Sequence, residues 1–220
     1  MKPFTWSYSA LNLFETCPRQ YGELRVLKRW PDEKGEAAKW GDTVHKAFES
    51  RLKFGTPLPE WGKQWEPLAE KLYGIPQLTV EHKIALNARF QPTEYFAPDV
   101  WCRAIADVAI VGPKAMVTID WKTGRFKPDT EQLRLSAAMQ LSHFQHVEQA
   151  TIQYQWLKDR KTTTETIKRE HIVTIWRDFL PRVERMERAY MERKFDPKPS
   201  GLCNAFCGVL SCEFNGRKKP

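Results

Sequence analysis

The chain has 220 residues, of which 41% are hydrophobic and 28% charged. That balance belongs to a globular domain and excludes a fibrous or low-complexity chain. Lysine and arginine number 35 against 27 acids, a net charge of +8, which suits an anionic partner, nucleic acid first. No apolar run is long enough to span a membrane, and Ser7, Ser9 and Asn12 break the apolar stretch that a signal peptide needs. A cytoplasmic protein with one domain over residues 1–220 is the expectation.

In chain order, a helix is predicted from about Ser9 to Leu24, interrupted near Cys17-Pro18. A loop follows around Trp30 to Gly35. Glu36 to Phe54 reads as an amphipathic helix with Ala37, Trp40, Val44, Ala47, Phe48 and Leu52 along one stripe. Gly55 to Pro76 is punctuated by Pro and Gly and has room for one short helix near Trp65 to Tyr73. Alternation then gives a strand at Leu78 to Leu86, with apolar residues on one face and Glu81 on the other. Strands at Val100 to Val111 and Ala115 to Trp121 flank the turn Gly112-Pro113. The helical period returns from Asp129 to Phe144. An extended segment at Thr151 to Leu157 turns through Lys158–Lys161 into a strand at Thr162 to Ile172. A last helix spans Trp176 to Lys194, with Pro181 marking its start or a kink. This order predicts an α/β (α+β) fold, a central mixed sheet with flanking helices.

Two strands carry acids, in Ala106-Asp107-Val108 and Ile119-Asp120-Trp121-Lys122-Thr123-Gly124. Alternation puts Asp120 and Lys122 on one face of the strand and Trp121 on the other. Paired carboxylates that can hold a divalent cation, with an ammonium beside them, are what metal-dependent phosphodiester hydrolysis requires. Asp-x-Lys alone is a common tripeptide at home in surface turns; its strand setting gives it weight. By local sequence alone, His45 is a half-buried polar residue of its helix, and Glu81 a strand acid paired with Lys83.

Five cysteines are present. Cys203, Cys207 and Cys212 crowd the C-terminus behind Pro197, Pro199 and Gly201, and Cys17 begins Cys17-Pro18-Arg19-Gln20-Tyr21. In a reducing compartment clustered thiols point to a metal rather than to disulfides. Zinc, an iron–sulfur cluster and free thiols all remain open on spacing alone. Cys102 has the opposite parity to Asp107 on its strand and reads as a small core residue. Nine Trp and twelve Phe could stack on unpaired bases, although most aromatics in a chain this size are core.

The element order, with Asp107 and then Asp120-Trp121-Lys122, resembles the PD-(D/E)XK nuclease superfamily and its restriction-endonuclease-like core. Gly41-Asp42-Thr43-Val44-His45 is similar to the Gly-x-x-x-His helix of the RecB-like branch. One distant N-terminal Cys with a C-terminal triplet resembles the CRISPR-adaptation and recombination nucleases that carry an iron–sulfur clasp.

The resemblance implies a core at about 36–172, with segments 7–25 and 174–214 joined by a Cys metal clasp. It implies a Mg2+ or Mn2+ ion held by His45, Asp107, Asp120 and the Trp121 carbonyl, the imidazole favouring manganese. Lys122 would orient water, Gln132 would fix that lysine and approach DNA, and Glu81 would lie close to the metal. Cys17, Cys203, Cys207 and Cys212 would bind a [4Fe-4S] cluster, or zinc. The implied activity is hydrolysis of DNA, chiefly as an exonuclease on single-stranded ends with endonuclease activity as a companion. The setting would be phage or bacterial replication, recombination or CRISPR adaptation. One departure stands out: Ser136 occupies the helix position, four residues after Gln132, where the family usually has Tyr. It keeps alive the alternative of a catalytically weak or inactive nucleic-acid-binding protein of the same fold.

Overall fold

The computed structural model describes residues 3–217, so Met1, Lys2 and the last three positions of the chain lie outside the described residues. Four helices precede the sheet: α1 (Tyr8–Thr16), α2 (Pro18–Tyr21), α3 (Glu36–Phe54) and α4 (Glu66–Leu72). The strands are β1 (Leu78–Asn87), β2 (Val100–Val111), β3 (Ala115–Lys122), β4 (Gln149–Trp156) and β5 (Lys161–Lys168). Helix α5 (Glu131–His143) lies between β3 and β4 in sequence, and α6 (Ile172–Glu192) follows β5. The chain divides into two compact units, one from Gly35 to Trp176 and one made of the first thirty-four residues with those from Arg177 on. No helix among the described residues is long and apolar enough to cross a membrane.

The strands lie in sequence order, and the sheet is mixed as expected: β3 and β4 run parallel, the other neighbours antiparallel. A parallel pair needs a long crossover, and α5 supplies it. This helix is buried along most of its length, from Leu133 through Leu141. Its one polar intruder at full burial, Gln140, accepts from the Thr118 hydroxyl at 2.6 Å and donates to Ser136 Oγ at 3.0 Å, so its amide oxygen and its amide nitrogen each have a partner in the core.

The predicted apolar stripe forms α3 between the same bounds, but its N-terminal part is not buried. Ala37 and Trp40 are exposed, whereas Val44, Phe48 and Leu52 are core. Those three pack against Val108, Ile119 and Trp121 of the sheet and Leu58, Ala69 and Leu72 of the following segment. The rings of Phe48 and Trp121 stack at 4.2 Å and 22°. Arg51, also buried, bonds Glu66 and Glu70 of α4, which offsets the cost of placing its charge there.

The first helix is interrupted at Cys17 as expected, because Cys17 takes an extended conformation (φ −160°, ψ 110°) that the following proline favours. Later boundaries differ from the sequence reading. The strand predicted to reach Ile172 ends at Lys168. Arg169 turns inward there to donate to the carbonyls of Phe144 and Val147, and α6 starts at Ile172 rather than Trp176. Pro181 lies inside α6 and does not start it. Buried Ile175, Trp176, Phe179, Val183 and Met186 keep helical spacing through it, and their burial outweighs the one backbone bond that proline forfeits.

Phe48 is fully buried and ties α3 to β3. Phe48→Ala should lower unfolding free energy by about 3–5 kcal/mol, read from urea denaturation. A loss below about 1 kcal/mol would mean that this stack does not anchor the helix.

Candidate functional site

The site grows where the β2–β3 ladder ends. Backbone pairing stops at Val108↔Ile119, one step before Asp107 and Asp120. There the Asp107 carboxylate takes over: its Oδ2 accepts the Trp121 N–H at 2.8 Å. Its Oδ1 lies 3.0 Å from His45 Nδ1, which donates to it when Asp107 is ionised. One buried acid thus bonds β3 and meets α3. On the other side, Val80 pairs with Val108 and His82 with Ala106, which sets Glu81 across from Asp107. Glu81 has φ +53°, the left-handed region that costs a non-glycine residue strain and that clusters at functional positions.

The structure therefore brings His45, Glu81 and Asp107 together, each offering a ligand atom within 4.8 Å of the others. The titration of His45 and of Glu81 reflects the crowding. Burial works to lower the His45 pKa, but the Asp107 hydrogen bond and the charges of Asp107, Asp120 and Glu81 outweigh it and raise the imidazole above 6.5. Burial, then the charges of Asp107 and Glu49, push Glu81 up. Burial also raises Asp120; Lys122 opposes the rise and Asp107 adds to it.

Asp120 stands outside that trio and faces Lys122, whose Nζ lies 2.8 Å from Oδ2. The contact is one of charge rather than of good hydrogen-bond angle, and this buried oxygen has no hydrogen-bond partner among the described residues. Lys122 is held from two further sides. It donates to Gln132 Oε1 at 3.1 Å and sits 4.4 Å from the centre of the Tyr154 ring. Tyr154 donates its own hydroxyl to the same Gln132 oxygen at 3.1 Å. The reading from sequence missed Tyr154. Its link to the site is the parallel register Asp120↔Tyr154, which no local pattern reveals. Ser136 points instead to Gln140 and belongs to the buried pair with Thr118. Trp121 donates its N–H to Asp107 and stacks its ring on Phe48.

The donor set fits a hard or borderline divalent ion. Oxygen and imidazole nitrogen converge, a buried carboxylate oxygen lacks a hydrogen bond, and the acids repel one another. The 3.0 Å between His45 and Asp107 also matches neighbouring ligands of an octahedral ion, which lie about 3 Å apart when bonds are about 2.1 Å.

In the unit formed by the chain ends, Cys17, Cys203, Cys207 and Cys212 line one small cavity, with Arg19 and Lys198 in its wall. The Lys198 N–H points to the Cys17 sulfur at 3.5 Å and the Ser200 N–H to the Cys203 sulfur at 3.4 Å. The fifth cysteine, Cys102, is buried against Met139 on α5.

Residues 5–109, which include His45, Glu81 and Asp107, match the family model of the PD-(D/E)XK nuclease superfamily. Two solved structures share the fold. A Eubacterium rectale protein named "Putative exonuclease" is 13% identical at a TM-score of 0.58, over 91% of this chain and 86% of that one. The protein SSO0001 is 16% identical at a TM-score of 0.52, over 98% of this chain and 89% of the other. No curated protein matches the chain.

The acid cluster should weigh on the metal-free protein. Because the folded-state pKa of Glu81 is raised, its ionisation costs stability above the ordinary value of 4.5. In chelator at pH 7, Glu81→Gln should melt a few degrees higher than wild type. The gain should vanish as the pH falls below 4.5, where the glutamate is protonated in both states. An unchanged or lower melting temperature at pH 7 would contradict this repulsion.

Proposed function

We propose that the chain is a divalent-metal-dependent DNA nuclease of the RecB-like branch, acting as an exonuclease on single-stranded ends. The convergence of His45, Glu81 and Asp107 beside the Asp120–Lys122 contact is the observation that carries this reading. In it, His45, Asp107, Asp120 and the Trp121 carbonyl hold the ion, with Glu81 close by. A bound Mg2+ or Mn2+ supplies charge neutralisation and acidifies water at neutral pH. Lys122, steered by Gln132 and the Tyr154 ring, orients the attacking water and meets the charge that builds on the phosphate. Asp107 keeps His45 in one orientation while its other oxygen holds the strand. The net charge of +8 draws a polyanion to the site. We place the activity in the cytoplasm of a bacterial or phage-infected cell, in replication, recombination or CRISPR adaptation.

The same reading assigns Cys17, Cys203, Cys207 and Cys212 to a [4Fe-4S] cluster. Four thiols lining one cavity, with N–H groups aimed at two sulfurs, support it. A group bound only when the chain is folded adds its binding free energy to folding, so this cluster would pin the two ends of the chain.

Asp120→Ala and Lys122→Ala should each reduce cleavage of end-labelled single-stranded DNA in manganese by roughly a hundredfold or more. Asp120→Ala should bind DNA as well as wild type or better. Wild-type rates in both variants would remove these residues from the reaction. Anaerobically purified protein should be brown and carry about four irons. Cys207→Ser should bleach it and lower the melting temperature, and Cys102→Ser should leave the colour unchanged. One zinc per chain would replace the cluster, and metal-free protein of unchanged stability would remove the clasp.

A further inference from the structure

Beside the candidate metal site lies a cleft of about 370 Å³ with three indoles in its walls, Trp40, Trp61 and Trp65. Its floor is core, formed by buried Val44 and Leu157. Trp61 and Trp65 are half-buried and packed on that core, so their rings are held in place. Trp40 is different. It is 45% exposed, and its ring stands 5.0 Å from that of Trp61 at 67°. Three tryptophans around an open cleft form a platform for a flat apolar ring, and the volume falls in the usual range for small-ligand sites.

Two features say which ring. Lys158 and Gln64 stand exposed at the rim. One offers a cation for phosphate; the other offers a donor and an acceptor that can meet any base edge. Val44 of the floor precedes His45, and Thr123 of the wall follows Lys122, so the cleft is walled by the immediate chain neighbours of two residues placed at the cutting site.

We propose that this cleft seats an unpaired nucleobase of the strand being cut, stacked on Trp40. The inference rests on the nuclease reading for its partner and names the strand state that the site accepts. A base inside a duplex is already stacked on both faces, and only an unpaired one can offer a face to an indole. Single-strand preference therefore arises in a pocket next to the metal ligands rather than from the ligands themselves.

The test is fluorescence anisotropy of labelled oligothymidine, in chelator so that nothing is cut. The comparison ligands are a strand of the same length carrying abasic sites and a fully paired duplex. Trp40→Ala should weaken binding of the intact strand about tenfold, as expected for one base stacked on an aromatic ring. It should leave abasic and duplex binding unchanged, and Trp40→Phe should keep most of the affinity. Equal melting temperatures of the variants and wild type would show that the fold is intact. Three results would overturn the proposal: no preference of wild type for the intact strand over the abasic one, unaltered binding by Trp40→Ala, or an equal loss on the abasic strand. Cleavage separates the two readings. Wild type that cuts DNA with no Trp40 effect retains the nuclease without the pocket. Wild type that does not cut, yet shows the Trp40-dependent preference, retains the pocket without the nuclease.

Discussion

Everything at this site hangs on one carboxylate. Where the β2–β3 ladder stops, the next backbone donor, the Trp121 N–H, would be left unmet in a buried place. Asp107 accepts it with one oxygen and faces His45 with the other. An unpaired buried amide is costly, so the acid is required by the fold before it is required by any chemistry. Phe48 on Trp121 fixes the same two elements from the apolar side. The distance between helix and sheet is thus set twice, once by packing and once by charge.

The electrostatics run against stability. Glu81, Asp107 and Asp120 crowd together with one lysine and one imidazole, and burial and mutual repulsion raise Glu81 and Asp120 above their ordinary range. The strained backbone at Glu81 adds to this. Such an arrangement is a poor structural device and a good cation trap. Lys122 is the counterweight, with three supports from three elements: Asp120 of β3, Gln132 of α5 and Tyr154 of β4. The residue four positions after Gln132 is a serine engaged elsewhere, and the aromatic hydroxyl on Gln132 comes from β4 instead. The departure at Ser136 consequently leaves the lysine no less constrained.

How much of this was legible in the chain follows from the range of each signal. The bounds of α3 were readable because its stripe is strong and Gly55, at φ +72°, closes it. The strands up to β3 were readable because alternation is local. The sites of His45, Asp107, Asp120, Lys122 and Gln132 stood out through motif spacing. Tyr154 did not, because its partnership depends on a parallel register imposed by the α5 crossover. Trp40 was assigned to the buried stripe, and helical period cannot say how far along a helix the neighbouring core extends. The end of β5 escaped for a similar reason: Arg169 leaves the sheet to reach carbonyls more than twenty residues earlier in the chain. Local periodicity finds elements; long-range polar bonds decide where they stop.

We propose that His45 and the neighbouring acids form a single ion-binding centre. Pulsed electron paramagnetic resonance of the Mn2+-loaded protein tests it directly, because an imidazole bound to the ion leaves a nitrogen coupling in the spectrum that carboxylates and water do not. One such coupling is expected in wild type and its loss in His45→Gln, with weaker manganese binding. A spectrum without nitrogen coupling, or one that His45→Gln leaves unchanged, would contradict it.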